Sequence, residues 1–364
     1  MDQKTSLYES HVERKGKMVS FAGYLLPVQY ETGVIREHMA VRTGAGIFDV
    51  SHMGEILVEG EEEDELLHYI QNLVTNDCST MSDGQVKYTL ICNEDGGIID
   101  DLLIYRFHSR KYLFVVNAAN REKDFKWMKS QANNDVTVSD ISDQIGLIAL
   151  QGPKSREILE KLSRKDEIPT KYYTFNEKVM VAGCETFVSV TGYTGELGYE
   201  IYCKPEDAKT IWKELLAKGK EEGVIPCGLG SRDTLRLEAG MPLYGNEMND
   251  QITPFEVGLS FAVKMEKDNF IGKEALAKKL EPNLRRVGIK ITGRGIAREG
   301  CKVFYKEEEI GLTTSGTHCP YLAYPVAMAL VNKDYTKVGN PISLEVRKRR
   351  IEGEIVPLPF YKRG

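Results

Sequence analysis

Two adjacent acids, Asp100 and Asp101, lie in the middle of an apolar stretch running from Tyr88 to Asn117. Desolvating an ionised carboxylate is costly unless partners recover the energy, so this pair demands a structural or a chemical explanation. A second cluster, Asp49, Ser51 and His52, has the residue types of an acyl-transfer triad. It is not read as one, because a triad needs three groups converging in fixed roles, and adjacent strand residues point to opposite faces. No G-x-S-x-G elbow accompanies it. A third feature is the Gly228-Leu229-Gly230 turn before a helix that starts near Ser231. It lacks the full dinucleotide fingerprint. Two readings stand: an anion site at the helix N-terminus, or glycines that only turn the chain.

The elements that position these residues follow from pattern. Asn93-Glu94-Asp95-Gly96-Gly97 is a hairpin signal. If Asn93 pairs with Ile98, Leu90 faces Asp101 and Tyr88 lies diagonally on the same side. Leu103 and Tyr105 continue that face, whereas Asp100 points the other way with Leu102 and Ile104. A slip of one residue reverses the cross-strand assignment. A third strand is expected from Tyr112 to Asn117. Helical spacing covers Ile35 to Arg42, Glu61 to Thr75, Ala118 to Gln131 and Pro205 to Glu222. A strand is expected across Lys178 to Val190, and Thr191 to Cys203 reads as a glycine-punctuated loop followed by strand. From Arg285 onward short strands alternate with turn signals, as in a small barrel or sandwich. A boundary at residues 281–283 divides the chain into 1–280 and 284–364.

Composition narrows the class. At 364 residues the chain exceeds one ordinary core. Its net charge of −6, with mixed signs, argues against nucleic acid as a partner. The Arg347–Arg350 run reads as a charged, exposed strand edge. Seven dispersed cysteines without a C-x-x-C pair argue for reduced thiols and against a disulfide framework or metal cluster. No apolar run approaches the ~20 residues of a membrane helix, so no membrane partner is expected.

Over nearly its whole length the chain resembles the T-protein family of the glycine cleavage system, the folate-dependent aminomethyltransferases. The matching stretches include FAGYLLPVQY, IREHMAVRTGAGIFDVSHMGE, NEDGGIIDDLLIY, VVNAAN, LQGP, TGYTGELGYE, GLGSRDTLRLEAGMPLYGNE, TPFEVGL, FIGKEAL and TSGTHCP. The resemblance implies an α+β, three-domain, cloverleaf-like molecule. Its N-terminal part would bind folate through two interleaved α+β subdomains, and its C-terminal part would be an all-β barrel. It implies tetrahydrofolate as co-substrate, no metal, and lipoylated H-protein as donor, with the P- and L-proteins as indirect partners. The implied products are ammonia, 5,10-methylenetetrahydrofolate and dihydrolipoyl H-protein.

Residue by residue, the resemblance assigns catalysis to Asp101. It assigns the guanidinium-like pterin edge to Glu200, with Arg232 beside it reaching the pterin carbonyl. Tyr88, Tyr105 and Tyr193 supply flat surface and hydroxyls, Asn117 a neutral amide, and Tyr361 a contact from the C-terminal end. Asp100 is the structural acid. Val190 stands where the family usually carries Arg, which puts the anchoring of the TGYTGE loop in question. Folate-dependent demethylases share the fold. An iron–sulfur maintenance branch carries a K-G-C motif that GMPLYGNE here lacks. The family's first motif begins at Thr5, and a bacterial cytosol is the expected location.

Overall fold

A computed structural model describes residues 2–363. Contacts divide the chain into two compact units. The first holds the residues up to Gln71, Cys78–Tyr88 and Leu102–Arg232; the second holds Asn72–Asp77, Thr89–Asp101 and everything from Asp233 onward. The hairpin carrying Asp100 and Asp101 thus has its base in the first unit and its tip in the second. Among the described residues no helix is long and apolar enough to cross a membrane, and all seven cysteines are free.

The first unit contains a six-stranded sheet in the order Phe175–Val181, Cys184–Ser189, Gly198–Cys203, Gly146–Gln151, Gly46–Asp49, Ile225–Pro226. All pairs are antiparallel except the last. The single strand expected across Lys178–Val190 is in fact a hairpin. Ala182 and Gly183 form its two-residue turn, both at positive φ (51° and 83°), as the primed hairpin turns require.

Central strands Gly146–Gln151 and Gly198–Cys203 are buried at every position, because both faces of the sheet are covered. One face takes the helix Pro205–Lys218. Its Ala208, Ile211, Trp212, Leu215 and Leu216 form an apolar stripe at helical spacing against Ile148, Leu150, Ile201 and Tyr199. Alternation then sends Glu200 and Tyr202 to the opposite face.

That opposite face meets a five-stranded sheet ordered Gln85–Cys92, Ile98–His108, Lys111–Val116, Gly54–Gly60, Val136–Asp140. Rings make the contact: Tyr105 packs edge-on against Phe175 (5.4 Å) and Tyr202 (5.6 Å), and Phe187 stacks on Tyr202 at 4.1 Å. Edge-to-face and offset geometries suit the aromatic quadrupole.

The second unit contains a closed barrel ordered Leu284–Ile291, Tyr324–Asn332, Glu308–Cys319, Lys302–Tyr305, Pro341–Val346, Arg349–Val356. Pairing of Gly288 with Val356 shuts the ring, so no sheet edge is left. Val287, Ile289, Val303, Ala329, Leu344 and Ile355 fill it. The Arg347–Arg350 run is not a strand edge. Arg347 and Lys348 are a positive-φ turn (50° and 64°), with Val346 paired to Arg349 across it.

In the same unit the hairpin tip is closed by Asn93. Its N–H donates to Gly97 O (2.9 Å), and its carbonyl accepts from Gly96 N–H (2.9 Å). Its Oδ1 takes the N–H groups of Asp95 (3.0 Å) and Gly97 (2.9 Å). Asn93 therefore pairs with Gly97, one residue earlier than the expected partner Ile98. This removes the register on which Tyr88 was given the face of Asp101. That Asp101 shares a face with Leu103 and Tyr105 rests on alternation within one strand and is unaffected. Gly97 is obligatory here, since a Cβ at this position would lie 1.8 Å from Asp250 O.

Candidate active site

Within the first unit, Glu200 stands in the middle of Gly198–Cys203, opposite Ser189 on one neighbour and Ala149 on the other. It is 9% exposed. Thr191 Oγ1 donates to its Oε2 at 2.5 Å. Ser189 Oγ lies 2.5 Å from Thr191 Oγ1, Tyr105 Oη 3.3 Å from Ser189 Oγ, and Tyr202 Oη 2.7 Å from Tyr105 Oη. Each hydroxyl has one proton. With Glu200 ionised the chain therefore runs one way, from Tyr202 through Tyr105, Ser189 and Thr191 to the carboxylate.

Burial pushes the Glu200 carboxyl above its ordinary range, against the Thr191 hydrogen bond and the charge of Arg232. Arg232, on the helix Leu229–Glu238, carries its guanidinium over the Tyr193 ring at 5.1 Å. Burial lowers its pKa, opposed by Glu200 and Tyr193. The two charges feel each other, yet no direct ion pair joins them among the described residues. A ligand edge bonding Glu200 would thus meet a carboxylate whose second oxygen is not taken by arginine.

The Thr191–Gly198 loop is anchored by groups far away in sequence. Arg42 Nη1 donates to Thr194 O (2.7 Å) and pairs with Glu196 Oε1 (3.0 Å). Gln151 Nε2 donates to Thr191 O (3.1 Å), and Thr194 Oγ1 donates to Gln151 Oε1 (2.9 Å). Gly192 and Gly198 flank that glutamine. A Cβ on either would fall 2.0 Å or 2.2 Å from its side chain. Val190 is 1% exposed in the apolar core, and the loop's cation is Arg42.

Other predicted residues divide between the units. Tyr105 is 0% exposed and its hydroxyl is spent on the chain, so it acts on Glu200 through Ser189 and Thr191. Tyr193 is half-buried beneath Arg232, and half-buried Asn117 directly follows the strand Lys111–Val116. Tyr88 is half-buried in the hairpin. In the second unit Asp101 is half-buried and Asp100 is fully buried. Tyr361 there donates its N–H to Glu238 O (2.8 Å) and sets its ring edge-on to Tyr321 at 5.2 Å.

The Asp49 cluster is not a triad. Asp49 accepts from Thr5 Oγ1 (2.6 Å) and pairs with His11 Nε2 (2.8 Å), whose Nδ1 meets Tyr30 Oη (2.8 Å). Ser51 Oγ donates to Leu147 O (3.2 Å). His52 is buried, packed edge-on to Phe21 at 5.6 Å, and its Nδ1 has no partner among the described residues. Burial, then the charge of Arg232, lowers its pKa to about 4, so it is a neutral imidazole. The helix after Gly228 does hold an anion, and it is the protein's own. Glu37 accepts from Gly228 N–H (2.9 Å) and Ser231 Oγ (3.1 Å) through Oε2, and from Tyr30 N–H (2.7 Å) through Oε1.

Two residues near Glu200 had no sequence signal. Thr191 opens the glycine-punctuated loop. Glu55 lies in the alternating stretch MGEILVEG, and it is 0% exposed. Among the described residues no group of acids, histidines and cysteines suited to hold a metal ion occurs.

Comparison with known proteins bears on this arrangement. Residues 7–267 match the GCVT N-terminal domain, and residues 285–362 match the glycine cleavage T-protein C-terminal barrel domain. The chain is 48% identical to an aminomethyltransferase of Caldanaerobacter subterraneus subsp. tengcongensis, covering all of this chain and 96% of the relative. It is 47% identical to one from a Geobacillus species, with both chains fully covered. A solved structure of the glycine cleavage system aminomethyltransferase T of Bartonella henselae superposes with a TM-score of 0.91 at 32% identity, covering 100% of this chain and 99% of that one.

Proposed function

The chain belongs to the glycine cleavage T-protein family and is an aminomethyltransferase; from that premise we propose the reaction and the part each residue takes. The methylene carbon of an aminomethyl group on lipoylated H-protein passes to tetrahydrofolate. Ammonia, 5,10-methylenetetrahydrofolate and dihydrolipoyl H-protein leave. The observation that carries this reading is the Glu200–Arg232 arrangement. It is a buried carboxylate with one oxygen fixed by a directed hydroxyl chain and a cation close by that does not consume the other.

A reduced pterin presents an N–H and NH2 edge shaped like a guanidinium, and a carboxylate accepts such an edge as a fork. Glu200 takes that edge. Arg232, held over Tyr193, reaches the ring carbonyl and offsets the buried negative charge. Asn117 adds a neutral amide, and Tyr88, Tyr193 and Tyr361 add flat surface. Tyr105 positions Thr191 through Ser189. Asp101 supplies negative charge facing the carbon that becomes cationic as ammonia departs. A weakly screened carboxylate stabilises that charge most strongly where water is excluded.

The test is ammonia release with purified protein, aminomethyl-loaded H-protein and tetrahydrofolate. Release that depends on both partners supports the assignment. Release without tetrahydrofolate at the full rate, or none with both present, overturns it.

A further inference from the structure

Glu55 is a fully buried acid of the first unit that the proposed chemistry leaves unused. Its main chain is fully engaged: the N–H donates to Ser142 Oγ at 2.8 Å and the carbonyl accepts from Ile141 N–H at 3.0 Å. Its side chain is not. The residue is 0% exposed, and among the described residues neither carboxyl oxygen has a hydrogen-bond partner. An unmet buried polar group of this kind costs roughly 1–3 kcal/mol, so its persistence asks for a reason.

Register says where it looks. Glu55 is paired with Val115, and Val115 with Leu103. Two residues on from Val115 is Asn117, and two on from Leu103 is Tyr105. Alternation puts all of these on one face of the five-stranded sheet. This is the face that Tyr105 packs against Tyr202 and Phe187, so it is the face turned toward Glu200. Glu200 and Tyr202 both lie within electrostatic range of Glu55.

The groups around it favour an uncharged acid. Arg121 is the nearby cation, and it is already bound to Asp140 (2.7 Å), Asp143 (2.9 Å) and Tyr24 Oη (3.3 Å). Asp140, Glu200 and Asp143 all oppose a further negative charge. Burial is the largest influence, and with these acids it holds the Glu55 carboxyl well above the usual range. A carboxylic acid kept neutral in an apolar site is a strong hydrogen-bond donor.

We propose that Glu55 is a second, uncharged carboxyl contact for the ring ligand held by Glu200, donating its O–H to an acceptor oxygen or nitrogen of the ring. This deepens the folate reading above and rests on it. Two carboxyls facing one another from two sheets would then play opposite parts. The ionised Glu200 accepts from the donor edge, and the neutral Glu55 donates to an acceptor.

The experiment compares wild type, E55Q, E55L and E200Q by calorimetric titration with tetrahydrofolate, together with thermal melting of the ligand-free proteins. E55Q keeps a donor and binds within about threefold of wild type. E55L loses the donor and binds about tenfold more weakly, in keeping with one hydrogen bond. Because E55L also removes an unmet polar group, its ligand-free form melts higher than wild type, an opposite movement that a purely structural acid would not give. If E55L does not fold, E55M, unbranched and close in length, takes its place. Wild-type affinity in E55L with weakened binding in E200Q overturns the Glu55 contact and leaves the folate reading standing. Equal weakening in E55Q and E55L overturns the donor role. No binding by wild type overturns both.

Discussion

Arg42 and Glu196 form an ion pair at 3.0 Å, with both side chains almost wholly withdrawn from solvent. Arg42 also holds Thr194 O at 2.7 Å, so one guanidinium pins the glycine loop at two points. Removing one member of a buried pair leaves an uncompensated charge. Arg42→Met is therefore expected to lower stability by about 3–5 kcal/mol, and the double variant with Glu196→Leu to recover much of that. Denaturant unfolding of the two singles and the double closes the cycle. An additive double variant would show that the pair is not the anchor.

Glu200→Gln replaces a fork of two charge-assisted acceptors by an amide that presents one donor to the ring. Folate affinity is expected to fall by about 10- to 100-fold, matching the loss of roughly 1.5–3 kcal/mol for a hydrogen bond to a charged group. Melting temperature should hold, since glutamine still accepts from Thr191. Unchanged affinity in a titration removes Glu200 from the pterin edge.

Asp101 and Asp100 are adjacent, yet they should respond differently to the same change. Asp101→Asn is expected to fold and to bind folate, but to lose about 10²- to 10³-fold in turnover, the scale of a displaced transition-state charge. Asp100 is fully buried, and Asp100→Asn should lower the melting temperature by several degrees while leaving kcat within a few-fold. Side-by-side melts and ammonia-release rates decide, and the reverse pattern exchanges the two roles.

Stability should also depend on pH through His52. Its folded pKa is lowered to about 4 from 6.5. The unfolded chain therefore takes up a proton near pH 6.5 that the folded chain refuses until about pH 4. The contribution of neutral His52 is complete above the unfolded value and is lost as pH falls between the two. At about 1.4 kcal/mol per unit it amounts to about 3 kcal/mol. Glu55 and Glu200 act in the opposite sense, because their raised values favour the protonated folded form as pH falls. The difference in unfolding free energy between wild type and His52→Leu, followed from pH 7 to 4, isolates the histidine. A flat difference refutes its assignment as a buried neutral base.

Much of this architecture was legible locally. The apolar stripe Ala208–Leu216, the barrel strands after Arg285 and the glycine-punctuated loop all announce themselves by period and turn chemistry. Glu200 and Arg232 were legible because they sit in long matching motifs. What stayed hidden depends on distant pairings. Glu55 alternates like a solvent-facing residue until a second sheet is laid on its face, and nothing near it in sequence announces that sheet. Likewise Arg42 could not be matched to Glu196 across 154 positions by spacing. The hairpin tip misled by one residue because Asn93 closes it with its side chain as well as its backbone, which takes Gly97 out of the turn and into the pair.

Glu37 carries a consequence for what the first unit admits. A helix start is a natural seat for phosphate, but here two of its donors, Gly228 N–H and Ser231 Oγ, already end on a built-in acid. Phosphorylated metabolites therefore find that seat occupied by the chain itself. Arg232, farther along the same helix, is a single side chain within range of Glu200 rather than a cradle of amides.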